Sequence, residues 1–397
     1  MDNLSHSLVG IALADSSFSI ANKKFRNDRK FRTALLFLAF ISNSFPDLDY
    51  LPILMAKHHY LVHLIYHRSF THFLCFVPIE AILIVFGFSV LSYLIRLKWT
   101  RREYITFFFA CAVGLSVHII MDSFTINGVH PFWPFDKRWI FNDTFSTIEP
   151  GLWLILAPYL IFLVDNRWAR ILGGVAFLLG LKLTTADPHR HLLFYFSFFA
   201  GISIFLFASK KLSQSLRCVF FWLIIFGLLS FYKISGKRVA ELLSSRVKSS
   251  LLDVARSPFP ANPFCWSAFT VDLLSQSEYQ ISQFIVTPFP QFFDLSRCVE
   301  SGTFASGSSS HMVSSHTFPR NSLAFLRSRS CLVDEFLRYS RVPGTVTEKN
   351  QVSLFDLKHQ AGYLGFGDIL TLDETDMVRQ DYCIGLADWI WPRHDLL

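Results

Sequence analysis

The sequence predicts an all-α polytopic membrane domain with about seven or eight membrane segments, followed by a small soluble α+β C-terminal domain. Hydrophobic residues make up 52% of the 397 residues and charged residues only 17%, which is less charge than a soluble domain of this length carries. Long apolar segments recur over residues 1–234, whereas residues 235–397 are polar and mixed. The composition therefore predicts a multi-span membrane domain over 1–234 and a separate domain over 235–397.

Eight apolar segments recur along the membrane domain. A membrane-crossing helix needs about 20 mostly apolar residues, and residues 73–96 and 104–121 fulfil this requirement best. The complete set comprises residues 2–18, 32–45, 73–96, 104–121, 150–164, 169–183, 192–208 and 219–234. The first of these is only moderately apolar and the second is short for a complete crossing.

The C-terminal domain mixes predicted helices and strands. We expect helices at 236–255 and 335–339, and the serine- and glycine-rich residues 301–322 indicate a mobile loop. Strands are predicted at 284–289, 352–357 and 369–372. Four cysteines, at positions 265, 298, 331 and 383, could pair if this domain faces an oxidising compartment.

The distribution of Lys and Arg residues predicts the orientation of the membrane domain, because cytoplasmic turns carry an excess of them. The four turns that alternation places on one side of the membrane hold 15 of these residues, and the opposite turns hold six. We therefore predict that the N-terminus, residues 46–72 and the C-terminal domain all lie on the extracytoplasmic side.

Residues 46–72 contain the densest group of ionisable side chains. Asp47 and Asp49 begin this stretch, and five histidines follow at positions 58, 59, 63, 67 and 72. Such groups at the mouths of apolar segments are costly near lipid, so they indicate a functional site. The predicted orientation brings further polar groups to the same membrane face, namely His6, His118, Asp122, Asp143 and Glu149.

The spacing of these residues is typical of a divalent-metal site. His118 and Asp122 are spaced i, i+4, so their side chains share one face of a helix. An imidazole and a carboxylate there suit a divalent cation. His67 and His72 could add two further imidazole ligands.

Three neighbouring residues could act on a substrate beside such a metal. Arg68 could hold a phosphate or a carboxylate in its guanidinium fork. Asp47 and Asp49 could bridge two metals, orient a ligating histidine, or accept a proton from water.

Plain structural roles are the alternatives for several of these residues. The histidines at 58, 59 and 63 fit an interfacial loop, and His6 near the N-terminus is a weak signal by itself. Asp122 could cap a helix or turn, and Asp47 and Asp49 could form a turn with two solvated carboxylates. The joint presence of five polar clusters on one face favours the metal site.

Other classes of site have no signal in this sequence. There is no Gly-rich phosphate loop, no serine nucleophile elbow and no CxxC pair for a thiolate zinc site. The net charge of +7 does not form the basic stripe that tracks nucleic acid. We expect a lipid or lipid-linked partner and no nucleic acid.

Several motifs in order along the chain resemble a known family. MDNLSHSLVG, FPDLDYLP, HRSFTH, GLSVHIIMDSFTINGVHPFWPFDKRW and DTFSTIEPGLWL follow one another, and SPFPANPFCW and FLRYSRVP stand in the tail. This pattern resembles the YdjM-like family of bacterial inner-membrane proteins, described as membrane-bound metal-dependent hydrolases. The resemblance covers nearly the whole chain and implies a multi-pass protein of the bacterial inner membrane. Glu149 departs from the family pattern, because relatives usually carry Asp before the following Pro.

The resemblance and the residues together predict the site and its function. The predicted metal ligands are His6, His67, His72, His118, Asp122 and Glu149, and the predicted catalytic residues are Asp47, Asp49, Arg68 and Thr71. The expected metal is zinc, with manganese as the alternative. The expected reaction is hydrolysis of an ester or phosphoester in a lipid or lipid-linked substrate at the outer membrane–water interface. The alternative function is a non-enzymatic metal-binding transporter or an envelope assembly factor.

Overall fold

A computed structural model describes most of the chain, and the residue ranges below are those it describes. They are residues 1–21, 28–49, 67–185, 199, 201–203, 205, 212–246, 250–299, 307–348, 351–358, 368–372 and 389–397. Most of the predicted segment 192–208, the histidines at 58, 59 and 63, and Cys383 lie outside these ranges.

Seven α-helices are described within residues 1–244. They are α1 (Asn3–Ala21), α2 (Arg29–Ser44), α3 (Val77–Leu94), α4 (Arg101–Asp122), α5 (Pro150–Phe162), α6 (Arg167–Thr185) and α7 (Gln214–Ser244). Helix α1 is the central one, because it packs against α2, α4, α5 and α7.

Small and polar residues allow the close packing of α1, α2 and α4. A Cβ atom at Gly10 would lie 2.4 Å from the side-chain amide of Asn43, and one at Gly114 would lie 2.2 Å from the Ser42 hydroxyl. Asp15 on α1 pairs with Arg32 on α2 at 2.7 Å, so the charge buried in α1 has a partner. This packing fixes the ends of α1, α2 and α4 relative to one another.

Four described helices, α3, α4, α6 and α7, are long and apolar enough to cross a membrane. The sequence-based expectation of seven or eight spans is therefore too high for the residues that the structure describes. Helix α5 has 13 residues and a length of about 20 Å, against a hydrocarbon core of about 30 Å. Helices α1 and α2 carry polar residues, such as Asp15 and Arg32, on their buried faces.

Helix α7 joins the membrane domain to the C-terminal domain. Its 31 residues span about 46 Å, longer than a bilayer core. Val239 and Leu243 near its end share a hydrophobic core with Val254 and Trp266 of the following hairpin. The predicted domain boundary at residue 234 lies within this helix.

Two antiparallel sheets and two helices form the C-terminal domain. The first sheet has the order β1 (Ser250–Phe259), β2 (Asn262–Leu273), β3 (Glu278–Val286) and β4 (Ser310–Pro319). The second has the order β5 (Pro343–Glu348), β6 (Gln351–Asp356) and β7 (Asp368–Leu372), and the helices are α8 (Arg320–Arg329) and α9 (Cys331–Tyr339). A disulfide links Cys265 and Cys298, so two of the four cysteines in this domain pair with each other.

Two predictions for this domain are wrong. The predicted helix 236–255 ends at Ser244, because residues from Ser250 onwards pair with β2. Residues 310–319 of the predicted mobile loop form β4, which pairs with β3 from Val286–Ser310 to Glu278–Pro319. In both places the pairing with a neighbouring strand overrides the local sequence preference. Strands β6 and β7 and helix α9 lie where the sequence predicted them.

A buried ion-pair group, here named the Arg341 clasp, fastens the C-terminal domain to the loop that follows α4. Arg341 binds Asp143 through two hydrogen bonds, at 2.6 and 3.0 Å. It also binds Asp253 at 2.9 and 3.2 Å. The clasp comprises Asp143, Arg341 and Asp253, and it holds the C-terminal domain at the end of the helical region where α4 ends.

Candidate metal centre

Four side chains from separate parts of the chain converge at the end of α4. Asp47 lies in the short 3-10 turn Pro46–Asp49 after α2, and His72 lies in the turn Phe70–His72 before α3. His118 and Asp122 belong to the last turn of α4. One ligand atom from each residue lies within 4.8 Å of all the others. We call these four residues the metal centre.

Five of the six distances between the ligand atoms are close to those around one tetrahedral cation. Asp47 Oδ1 lies 3.6 Å from His72 Nε2 and 3.5 Å from His118 Nε2. Asp122 Oδ2 lies 3.2 Å from His72 Nε2 and 3.9 Å from His118 Nε2, and the two Nε2 atoms are 3.2 Å apart. Metal–ligand bonds of about 2.0–2.1 Å in a tetrahedral zinc site place the ligand atoms about 3.3 Å apart. Asp47, predicted as a catalytic residue, therefore lies in the position of a ligand.

Hydrogen bonds outside the centre fix the tautomers of both imidazoles. The carbonyl oxygen of Asn43 can only accept, so His118 Nδ1, at 2.7 Å, carries the donated proton. The Thr71 hydroxyl donates to Asp49 at 2.9 Å, so its oxygen accepts from His72 Nδ1 at 3.0 Å. When neither ring carries a second proton, both Nε2 lone pairs point into the centre, as in metal-ligating histidines. A positive charge between them relieves their repulsion.

The electrostatics of the centre favour a cation. His72, His118 and Asp122 are fully buried, and the Asp47 side chain is 10% exposed. Burial disfavours protonated His72, but hydrogen bonds with Asp122 and Asp47 outweigh it and raise the pKa of His72 to about 9. Burial also acts to raise the pKa of Asp47, yet hydrogen bonds from His118 and His72 hold that pKa well below its usual range. The centre therefore attracts positive charge, either a proton or a metal ion.

Asp49 lies beside the centre and orients its neighbours. Its carboxylate interacts with His67 Nδ1 at 3.0 Å, the Thr71 hydroxyl at 2.9 Å and the Arg68 backbone N–H at 3.2 Å. Burial opposes ionisation, but the hydrogen bond with His67 outweighs it and lowers the pKa of Asp49. Among the roles proposed for Asp49 from the sequence, the geometry fits the one in which its carboxylate orients histidine side chains.

His67 is not among the four converging residues, although the sequence predicted it as a ligand. Its ring pairs with Asp49, and its side chain is 19% exposed. The ring lies edge-on to His72, with ring centroids 5.7 Å apart. A histidine paired with a carboxylate and partly open to solvent can move protons to and from a reacting group.

Arg68 is buried in a strained backbone conformation next to the centre. Its φ of +66° lies in the left-handed region, which is costly for a residue with a side chain. Its guanidinium donates to the Gly128 carbonyl at 2.7 Å and lies 3.2 Å from Asp122 Oδ2. Arg68 therefore holds the ligand carboxylate in place and adds positive charge to the site.

His6 lies against the centre but outside the group of four. Its ring stacks on His118 with centroids 3.8 Å apart, and its Nε2 lies 3.1 Å from Asp122 Oδ1. The amino group of Met1 contacts the same carboxylate oxygen. The predicted role of His6 as a ligand stays a prediction, because in the structure it contacts one ligand and stacks on another.

Glu149 has a different environment from the predicted one. Its carboxylate accepts hydrogen bonds from the Ser146 hydroxyl at 2.9 Å and from the backbone N–H groups of Gly151 at 3.2 Å and Ala261 at 2.9 Å. It caps α5 and contacts the tip of the β1–β2 hairpin. Burial raises the pKa of Glu149 to about 7. The structure thus places Glu149 at the junction with the C-terminal domain and not among the four ligands.

Two participants in the site were missed from the sequence. Asn43 acts through its backbone carbonyl, which leaves no signal in the identity of the residue. Glu80 is buried in the first turn of α3, interacts electrostatically with His72 and Asp49, and its Oε2 has no hydrogen-bond partner among the described residues. Glu80 is the one charged residue of Val77–Leu94. A charged residue within an apolar segment indicates a functional site, so this signal could have identified Glu80 from the sequence.

His130 is a further buried histidine near the site. Its ring packs against Trp139 and Trp389, with ring centroids 4.5 and 4.4 Å away, and against Phe73 at 5.1 Å. Neither ring nitrogen has a hydrogen-bond partner within the described ranges. Burial and the positive charge of His72 lower the pKa of His130 to about 3, so it stays neutral.

Comparisons with known proteins agree with the sequence motifs. A family model described as "YdjM inner membrane protein" matches residues 1–235, which include the whole metal centre. "Uncharacterized protein YfhP" of Bacillus subtilis (strain 168) is 23% identical to this chain over 154 residues. That match covers 39% of this chain and 43% of the relative, so the chain matches less than half the length of YfhP. No solved structure matches.

Proposed function

This chain belongs to the YdjM inner membrane protein family, and we propose that it is a metal-dependent hydrolase acting at the membrane–water interface. Its substrate is the ester or phosphoester of a membrane lipid or lipid-linked molecule. The observation that carries the proposal is the convergence of Asp47, His72, His118 and Asp122 at helix ends, with both imidazole Nε2 atoms directed inward.

The donor set indicates the metal. Two imidazoles and two carboxylates in tetrahedral spacing suit zinc, and manganese is the alternative because it also takes carboxylates and imidazoles. A divalent ion here would polarise the carbonyl or phosphoryl oxygen of the substrate and make water more acidic. The described site then needs no serine or cysteine nucleophile.

The Asp49–His67 pair supplies proton transfer in this proposal. His67 is the more exposed of the two site histidines in the HRSFTH motif, since its side chain is 19% exposed and that of His72 is fully buried. Asp49 holds the His67 ring by its Nδ1 atom at 3.0 Å. His67 takes the proton from the attacking water and returns it to the leaving group. The Thr71 hydroxyl bonds to both Asp49 and His72 and so fixes their relative positions.

Arg68 supplies charge stabilisation in this proposal. Its guanidinium lies beside the centre, 3.2 Å from Asp122 Oδ2. The positive charge offsets the negative charge that grows on a phosphoryl oxygen during attack. Loss of one such charge-stabilising group typically costs about 10²–10³ in rate.

The proposed location of the active face is extracytoplasmic. The asymmetry of basic residues favours this orientation. The Cys265–Cys298 disulfide supports it as well, because such bonds persist in oxidising compartments. The Arg341 clasp holds the disulfide-bonded domain on the same side as the metal centre.

A metal transporter is the competing function, and the position of the ligands argues against it. A transporter places ionisable groups near the middle of the membrane along a path. Here Asp47 follows the end of α2, His72 precedes α3, and Asp122 is the last residue of α4. Ligands gathered at helix ends favour an interfacial enzyme.

A lipid hydrolysis assay with purified protein tests the proposal. Against a panel of vesicles with different headgroups, we expect release of a headgroup or of a lipid product, abolished by a chelator and restored by zinc or manganese. His67→Gln should reduce turnover by about 10²–10⁴ while the amount of bound metal stays unchanged. As a control, Asp136→Asn changes an exposed carboxylate that is not one of the site residues, and turnover should stay unchanged. Turnover that survives complete metal removal, or that is unaffected by His67→Gln, would refute the mechanism.

A further inference from the structure

An apolar cavity of about 670 Å³ runs beside the metal centre, between α1, α4 and α7. Apart from Ser16 and Ser17, the lining is made almost entirely by apolar and aromatic side chains. The lining residues on α1 and just before it run from Met1 to Ser17, which the helical rise converts to about 24 Å. A volume of about 670 Å³ over this length corresponds to a mean cross-section of about 28 Å², so the cavity is long and narrow.

One end of this cavity is lined by neighbours of the metal centre, although none of the four ligands lines it. Met121 lines it, and the next residue in the chain is the ligand Asp122. Met1 also lines it, and the amino group of Met1 contacts Asp122. A molecule with its apolar body along α1 would have its polar end next to Met1 and Met121, the residues that adjoin this ligand.

The side of the cavity is open where α4 and α7 face lipid. Ile120 on α4 is 53% exposed, and Leu223 and Phe226 on α7 are each 58% exposed, yet all three line the cavity. Both helices are long and apolar enough to cross a membrane. The opening therefore faces hydrocarbon chains and not water.

The width and length of the cavity decide which apolar group can occupy it. A helix with its side chains is about 10–12 Å across, which is too wide for this narrow cavity. A hydrocarbon chain of one membrane leaflet extends over about 15 Å, half of the bilayer core, and fits within the lined length. A lipid chain is also the apolar group that surrounds the opening.

We propose that this cavity binds one hydrocarbon chain of a membrane lipid, with the lipid headgroup at the metal centre. This inference rests on the proposed function for its headgroup chemistry and adds how the substrate is held. The cavity selects lipids with a long chain, and lateral entry between α4 and α7 lets the substrate reach the site without leaving the bilayer.

A photo-crosslinking experiment tests the cavity in the complete protein. The probe is a phosphatidylethanolamine with a diazirine in one acyl chain, incorporated in nanodiscs with the purified protein. After illumination, peptide mass spectrometry measures labelling at Val9 and Leu13, which line the cavity on α1. Leu178 on α6, which is 64% exposed to the exterior, reports ordinary lipid contact.

Two matched variants of α7 make the test specific. Leu223 lines the cavity, whereas Leu216 is on the same helix, 47% exposed, and does not line it. In Leu223→Trp the indole ring occupies the chain's space, so labelling at Val9 and Leu13 should fall about tenfold. In Leu216→Trp it should stay as in the unmodified protein, and labelling at Leu178 should be the same in both variants.

The outcomes separate this inference from the proposed function. If Val9 and Leu13 are labelled and Leu223→Trp removes this labelling, the lipid-binding cavity is supported. A failure to hydrolyse any lipid in the panel would then count only against the proposed hydrolase activity. Labelling of Val9 and Leu13 no stronger than that of Leu178, or equal in both variants, would overturn the inference, even with lipid hydrolysis intact. If Leu223→Trp fails to fold, Val219→Trp, at another lining residue of α7, takes its place.

Discussion

The metal centre and the Arg341 clasp both bury carboxylates, but the clasp pairs both of its carboxylates with one guanidinium. In the metal centre, Asp122 has the Arg68 guanidinium at 3.2 Å, whereas Asp47 faces only imidazoles. Arg341 meets Asp143 and Asp253 with four hydrogen bonds of 2.6–3.2 Å. In the metal centre, the Nε2 atoms of His72 and His118 face each other at 3.2 Å. A guanidinium is always charged, whereas an imidazole carries either a proton or a metal.

This difference distinguishes a structural cluster from a binding site. In the clasp, the donors of Arg341 are matched by carboxylate oxygens, so nothing further is needed for the group to be stable. In the centre, two imidazole Nε2 atoms and two carboxylates converge, and a shared proton or metal ion is needed between the facing Nε2 atoms. Burial of charge alone does not indicate function; the unsatisfied geometry of the buried groups does.

Removal of the clasp cation should have the largest effect on stability. Arg341→Met removes the nearest cation from Asp143 and Asp253, and breaking a buried ion pair in this way costs about 3–5 kcal/mol. The more distant Arg256, 3.7 Å from Asp143, and Arg393, 3.4 Å from Asp253, compensate only part of this loss. The measurement is the free energy of unfolding in detergent micelles. As a control, Arg138→Ala removes an exposed pair with Asp136 and should leave the unfolding midpoint unchanged.

A triple variant sharpens this prediction. Combining Arg341→Met with Asp143→Asn and Asp253→Asn removes the two buried carboxylate charges that have lost their nearest cation, so part of the lost stability should return. A triple variant no more stable than Arg341→Met would show that the charges are not the cause.

Glu149 offers a second, pH-dependent comparison, because it is a buried acid with no cation partner in the described contacts. Its pKa rises from 4.5 unfolded to about 7 folded, so the folded state holds the proton more tightly. Stability from this group is fully present below about pH 4.5 and is lost as the pH rises through 7, in total roughly 3 kcal/mol. Glu149→Gln keeps the acceptor but cannot ionise, so unfolding free energies at pH 5 and pH 8 should differ less in this variant than in the unmodified protein. An equal pH dependence in the two proteins would contradict the assignment.

Metal-linked stability is the smallest of the three expected effects. A cation that binds only the folded protein stabilises it by about 2.7 kcal/mol at a concentration of 100 times Kd. Zinc should therefore raise the Tm of the chelator-treated protein and should not do so for His118→Ala. The triple clasp variant should still respond to zinc. A zinc response that persists in His118→Ala would place the metal elsewhere.

The sequence predicted the shared membrane face of the site but not the division of roles within it. His118 and Asp122 follow directly from their i, i+4 spacing. Spacing alone does not show which of Asp47 and Asp49, or which of His67 and His72, is the ligand. The two 3-10 turns and the positive φ of Arg68 decide which side chain points inward.

The remaining differences arise from contacts that are distant in sequence. Arg341 lies 198 residues from Asp143, so the clasp leaves no local pattern. Glu149 before Pro150 is a helix-capping arrangement, with Pro at the first helical position, and this pattern could have indicated its role. The number of spans was overestimated because α1, α2 and α5 were counted as crossings. In the structure Asp15 and Arg32 pair between α1 and α2, and α5 has only 13 residues.

Metal content of the purified protein tests the central claim most directly. Elemental analysis by mass spectrometry, with protein quantified in parallel, should give one divalent ion per chain for the unmodified protein. Asp47→Ala and His118→Ala should lose that ion, and the triple clasp variant should retain it. Retention of the ion in both Asp47→Ala and His118→Ala, each folded, would contradict the account, and so would its loss from the folded clasp variant.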